Sequence, residues 1–104
     1  MEAAINFTQL ESGTLSIGMD NLKLDKIAKA INSETRRKIL RLLNEEARDV
    51  SRLAKELNQT EANISAQIKI LQDAGLVGSR YEPGDHGVRK ICHINYSRIT
   101  ISLV

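Results

Sequence analysis

Asn63 and Gln67 stand four residues apart, and each carries an amide that sets a hydrogen-bond donor beside an acceptor, the pair of groups that matches the edge of an adenine. Thr60, Ala62, Ser65 and Ala66 surround them, so the stretch is short of long, obstructing side chains. A methyl group of Thr60, Ala62 or Ala66 can touch the methyl of a thymine, and the Ser65 hydroxyl can meet either a donor or an acceptor. The implied chemistry is the reading of base edges. Lys69, together with Ser51 and Arg52 upstream, has the charge and hydroxyl chemistry that holds phosphates. A second cationic group, Arg80, His86, Arg89 and Lys90, is diluted by Glu82 and Asp85 and suits a nucleic-acid backbone or minor groove. His86 is open to two readings, a phosphate contact or a solvated turn histidine.

Other reactive residue types do not assemble into a reaction centre. Glu45 and Glu46 are adjacent carboxylates, but no Ser/His/Asp set, phosphate-cradling glycine loop or metal-ligand spacing accompanies them, so no catalytic residue is assigned and no enzyme is expected. Cys92 and His93 are neighbours in a period-two stretch and so face opposite ways, which prevents joint chelation of one ion. Cys92 is expected to pack with Ile94 and His93 to be solvated. A redox-switch role for Cys92 would require a depressed thiol pKa, which nothing in the sequence compels, so that role stays open as the minor alternative to packing. No cofactor and no metal site is expected.

The elements that must position these residues follow from hydrophobic period and caps. Leu24, Ile27, Ala28 and Ile31 recur at helical spacing and give a first helix over about 21–31. Ser33 caps a second over 34–45, whose apolar face holds Ile39, Leu40, Leu42 and Leu43. Asp49 caps a third over 50–57, carrying Val50, Leu53, Ala54 and Leu57. Thr60 caps a fourth over 61–74, with Ile64, Ile68 and Leu71 in one stripe and Gly75 as its left-handed stop. The four-residue link Leu57-Asn58-Gln59-Thr60 forces the third and fourth helices to cross steeply, with Asn58 suited to a positive φ, Ala54 small at the crossing and Ile64 closing the corner. This is a helix-turn-helix. Period two then returns through Val77, Ser79 and Tyr81, across a Pro83–Gly87 tip, to Val88–Asn95, which predicts a two-stranded wing. Residues 5–19 alternate weakly around a turn-like Glu11–Thr14 stretch, and 99–103 alternate cleanly, predicting a hairpin or arm and a further strand.

At 104 residues the chain has the size of one small domain, with an ordinary apolar fraction of 41%. The net charge of +2 is unevenly placed. The first 22 residues hold Glu2, Glu11 and Asp20 with no Lys or Arg, so the remainder carries about +5. Such an excess fits a phosphate-contacting surface. With one cysteine, no secretory leader and no long apolar run, a cytoplasmic protein free of the membrane is expected.

The ordered trio Ile31-Asn-Ser-Glu-Thr-Arg-Arg-Lys-Ile-Leu-Arg-Leu-Leu43, Val50-Ser-Arg-Leu-Ala-Lys-Glu-Leu57 and Thr60 through Val77 closely resembles the ArsR-like winged-helix regulators over about residues 22–95. The Ile/Lys-rich texture is similar to archaeal members. The resemblance implies a homodimer on operator DNA. Metal-sensing relatives carry a Cys-x-Cys-type motif where this chain has Ala47-Arg48-Asp49-Val50-Ser51, and others use acidic and His ligands on a C-terminal helix where this chain is strand-like with no His after His93. The metal-sensor role is therefore not expected.

The expected fold is α+β, mainly α: a winged helix-turn-helix over 21–95, an N-terminal arm or hairpin over 1–20, and a C-terminal strand over 96–104 that caps the core or dimerises. The expected function is sequence-specific double-stranded DNA binding in transcription regulation, as a homodimer. Its contacts are Thr60, Ala62, Asn63, Ser65, Ala66 and Gln67 at bases, Ser51, Arg52 and Lys69 at phosphates, and Arg80, His86, Arg89 and Lys90 on the wing. The alternatives are a protein-interaction module of a larger assembly and a sequence-tolerant, chromatin-type DNA binder.

Overall fold

The computed structural model describes residues 13–104. Four helices form its centre: α1 (Leu24–Ile31), α2 (Glu34–Glu45), α3 (Val50–Leu57) and α4 (Glu61–Asp73). The strands are β1 (Thr14–Gly18), β2 (Arg48–Asp49), β3 (Val77–Gly84), β4 (Gly87–Ile94) and β5 (Arg98–Ser102). β3 and β4 form the wing hairpin, and β2 adds to β4 to complete an antiparallel sheet in the order β2-β4-β3. The fold is α+β, a winged helix-turn-helix, as the sequence predicts.

Side chains close the orphan amides at three helix starts. Ser33 Oγ accepts from Arg36 N, Asp49 Oδ1 from Arg52 N at 2.8 Å, and Thr60 Oγ1 from Asn63 N at 3.0 Å. Asn58 takes the left-handed conformation, φ 56° and ψ 47°, which turns the chain sharply out of α3 while Gln59 N donates to Ala54 O at 2.9 Å. Gly75, at φ 80°, ends α4 in a Schellman-type close, with Leu76 N donating to Leu71 O at 3.0 Å. One core then gathers Ile27 and Ala30 of α1, Ile39 and Leu43 of α2, Leu53 and Ala54 of α3, and Ile64, Ile68 and Leu71 of α4, with Leu76, Val77 and Cys92 from the wing base.

Several expectations shift by small, explicable amounts. α1 starts at Leu24, because Asn21 forms a turn instead, its carbonyl accepting from Leu24 N and its side-chain oxygen from Lys23 N. Ala28 is exposed, and Ala30 takes the buried place in its stead. Ala30 lies three residues from buried Ile27, about 60° round the helix, whereas Ala28 is next to Ile27 in sequence and about 100° round from it. The wing tip narrows to Asp85-His86 between the paired Gly84 and Gly87. Pro83 lies inside β3, which it can do because β3 is an edge strand with no ladder partner for a missing N–H. Cys92 is buried and on the same face as half-buried Ile94, as expected. His93 is half-buried against Gly78 rather than solvated, since the absent Cβ at Gly78 leaves room for its ring.

The terminal strands pair with each other. β1 and β5 form a parallel two-stranded sheet, with Leu15 opposite Ile99 and Ile17 opposite Ile101. Ile17 is buried, and Leu15 and Ile99 pack partly against the core. The expected hairpin over 5–19 lies partly outside the described residues; within them, Thr14–Gly18 is a strand whose partner is β5.

Candidate nucleic-acid interface

The N-terminal half of α4 is the surface to which the local structure gives most shape. Ile64, Ile68 and Leu71 turn inward, which leaves Thr60, Ala62, Asn63, Ser65, Ala66 and Lys69 exposed together. Gln67 belongs to the same side but is half-buried, because its Oε1 accepts from Arg36 Nη1 at 2.6 Å. Asn63 sits within a row of amides: Gln67 Nε2 donates to Asn63 Oδ1 at 3.3 Å, and Asn63 Nδ2 donates to Gln59 Oε1.

At the start of α3, Ser51 and Arg52 are both exposed. The Arg52 guanidinium is occupied within the chain. It lies 2.7 Å from Glu46 Oε1 and 3.5 Å from Glu56 Oε1. The hydrogen bond from Arg52 holds the Glu46 carboxyl below the usual carboxylate range, and that same bond raises the Arg52 guanidinium above its own. Both groups are open to solvent, so the pair is readily exchanged for other ions.

The wing contributes the remaining cations. Arg89 lies 3.2 Å from Asp49 Oδ2, tying β4 to the cap of α3, and Arg80 lies 2.7 Å from Glu82 Oε2. His86 is exposed at the tip, and Lys90 is half-buried without an ion pair among the described residues. A cleft of about 470 Å³ separates the wing from the start of α3, lined by Asp49, Val50, Ser51, Asp85, His86, Gly87, Val88, Arg89 and Lys90. The structure therefore gathers Ser51, His86, Arg89 and Lys90 around one cleft. Arg80 lies elsewhere on β3.

Two arginines outside the sequence-based selection prove central. The Arg48 side chain is only 4% exposed: its Nη1 donates to the carbonyls of Leu42 and Glu46, its Nη2 lies 3.3 Å from Glu45 Oε1, and its Nε lies 2.9 Å from Glu56 Oε1 without an aligned hydrogen bond. This guanidinium staples the end of α2 to β2 and α3, with Glu45 and Glu56 as its counter-ions. Arg36 does comparable work at the other end of α2. It donates to Ala30 O at 2.8 Å, to Lys29 O at 2.7 Å and to Gln67. Sequence signals for both existed only as charges beside helix ends, which solvated arginines produce equally well.

The buried Cys92 thiol is pushed up in pKa, chiefly by burial, so the thiolate is disfavoured. Among the described residues no three His, Cys, Asp or Glu converge on a metal-holding position, and no helix is long and apolar enough to cross a membrane.

Comparison with known proteins meets the geometry at the same place. The profile of the bacterial regulatory protein, arsR family, matches residues 33–79, from the cap of α2 to the first residues of β3. A crystal structure of a possible transcriptional regulatory protein from Mycobacterium bovis is 29% identical over 70% of this chain and 74% of that one, at a TM-score of 0.63. A solution structure of a homodimeric winged helix-turn-helix DNA-binding domain from Mycobacterium bovis, a possible ArsR-family transcriptional regulator, is 27% identical over 70% of this chain and 64% of that one, at a TM-score of 0.64. A crystallised ArsR family transcriptional regulator is 30% identical over 69% of this chain and 75% of that one, at a TM-score of 0.59. No curated protein matches significantly. With the family profile on the helix-turn-helix and a 30% identical family member covered over 75% of its length, the chain belongs to the ArsR family of winged helix-turn-helix, DNA-binding transcription regulators.

Proposed function

We propose that the chain is a sequence-specific regulator that binds operator DNA as a homodimer. α4 enters the major groove, and the wing lies along the backbone or minor groove. The observation that carries this reading is the exposed, Thr60-capped first half of α4, which offers hydroxyl, methyl and amide groups with no long cationic side chain in the way. Thr60, Ala62, Asn63, Ser65, Ala66 and Gln67 face bases; Ser51, Arg52 and Lys69 hold phosphates; Arg80, His86, Arg89 and Lys90 position the wing. The two-fold interface uses the β1–β5 end with α1, where Met19, Leu22, Ile101, Leu103 and Val104 are exposed large apolar side chains. That arrangement spaces two copies of α4 by one turn of DNA, about 34 Å.

The deciding experiment selects duplexes from a random pool and titrates the winner and a random duplex across a salt series. The selected duplex should be a two-fold site that retains its advantage as salt weakens both. Equal binding of both duplexes at every salt concentration overturns the operator reading in favour of a sequence-tolerant binder. The interaction-module reading draws on the intrachain pairing of Arg52, Arg80 and Arg89, which reduces free positive charge. A stable protein partner captured without any DNA affinity would favour it.

A further inference from the structure

We propose that Arg36, which lies outside α4, is a positioning residue for base specificity: it sets the donor and acceptor polarity of the amide row that α4 offers to the groove. The inference rests on the reading of α4 as the base-contacting helix. A guanidinium has five N–H donors, no acceptor, and stays charged at every relevant pH. Arg36 spends two of its nitrogens on the last carbonyls of α1, Nε on Ala30 O at 2.8 Å and Nη2 on Lys29 O at 2.7 Å, which fixes the plane of the group. Nη1 then points at Gln67 at 2.6 Å. An amide in that position must present its oxygen.

The rest of the row follows from that one constraint. With its oxygen toward Arg36, Gln67 turns its nitrogen toward Asn63, whose oxygen accepts at 3.3 Å. Asn63 must then direct its own nitrogen to Gln59 Oε1, and Gln59 Nε2 donates to Thr35 Oγ1 at 3.3 Å. The spacing of 59, 63 and 67 by four residues stacks the side chains along one side of the helix and its cap. Thr35 is the neighbour of Arg36, so the row begins and ends on the first turn of α2. Reversing any one amide would set nitrogen against a donor or oxygen against an acceptor.

Each amide has two N–H groups and two lone pairs, and the row uses one of each. Exposed Asn63 keeps one donor and one acceptor, the complement of an adenine edge. Gln67 keeps its oxygen beneath a cation and offers an N–H outward, which suits a base that presents an acceptor, such as guanine O6 or N7 or thymine O4. Without Arg36 the Gln67 amide turns freely, and its preference among bases is lost.

The test combines nuclear magnetic resonance of the free, full chain with duplex selection. In the parent, the side-chain NH2 signals of Gln67 and Asn63 should be dispersed and slow to exchange. In Arg36→Met they should move to the positions of solvated amides. Selection with Arg36→Met should lose about tenfold of base preference at the positions that Asn63→Ala and Gln67→Ala relax, within the ~5–150-fold that a good side-chain–base pair supplies. Affinity for a random duplex should stay within about twofold. Because Arg36→Met also frees two α1 carbonyls and can fail to fold, Gln67→Glu is the companion: its carboxylate accepts from Arg36 but has no N–H to offer, so the selected base should change to a donor such as cytosine. Unchanged amide signals in folded Arg36→Met, or the same base selected by Gln67→Glu, overturns the proposal. A parent that selects no sequence while its amide signals stay dispersed defeats the base-reading assignment itself and leaves the row a structural feature only.

Discussion

On the function proposed above, Arg52 would meet a DNA phosphate in competition with Glu46, so its contribution to binding would be the difference between two exposed ionic partners. Arg89 would face the same competition from Asp49. Replacing either by Ala should weaken all duplexes alike and lower the slope of log affinity against log salt by about 1, because one phosphate contact and its released counterion are lost. Asn63→Ala should leave that slope alone and cost about 1–3 kcal/mol of discrimination at one base position, read as relative affinity for single-base variants of the selected duplex. The opposite pattern would reverse the division between phosphate and base contacts. Cys92 answers to a different physics. Burial raises its pKa, so the folded state holds the proton to higher pH than the unfolded chain does. The resulting stability is fully present below the unfolded thiol's value of about 8.5 and drains away as pH rises through the folded value. Denaturant midpoints should therefore fall across that alkaline window, and a Cys92→Ala variant should lose this part of the dependence. Alkylation of the native thiol should also be slow.

The third and fourth helices owe their crossing to two short signals, and both were open to reading in the residues. Asn58 is one of the few side chains that accepts the left-handed conformation, and it sits where the chain must leave α3 abruptly. Asn58→Val should destabilise the fold by about 1–3 kcal/mol, whereas Asn58→Gly should be nearly neutral, as thermal unfolding will show. Thr60→Ala removes the cap that Asn63 N uses and should cost about 0.5–2 kcal/mol. Caps, stripes and the glycine stop are legible because each is a local rule, satisfied within a few residues. β2 was not legible: a two-residue strand has no period, and Asp49 reads only as the cap of the third helix until β4 arrives to pair with it and Arg48. The half-buried state of Gln67 was equally hidden. It depends on Arg36, 31 residues away in sequence, and no spacing rule connects the two. Candidate groove residues could therefore be named from the sequence, but not the hydrogen bonds that already occupy them.

At the scale of the whole molecule, self-association decides whether one reading head or two meets the DNA. Sedimentation at micromolar concentration should show a dimer, and polar replacement of exposed Ile101 and Leu103 at the β1–β5 end should shift it toward monomer while leaving α4 intact. A monomeric parent would remove the support for two half-sites. That β1 and β5 pair with each other, and in parallel, escaped the sequence because alternation identifies strands without naming partners. A parallel pair needs a crossover connection, and here the crossover is the entire helix-turn-helix and wing. Thr14 lies beside Arg98 and Gly18 beside Ser102, so the chain enters the ladder at one end and leaves it at the other. A force applied across these two exits acts along the strands and loads all the ladder bonds together, instead of peeling them one at a time. Pulled along that direction, the small sheet would resist in shear, the geometry in which its hydrogen bonds must break together.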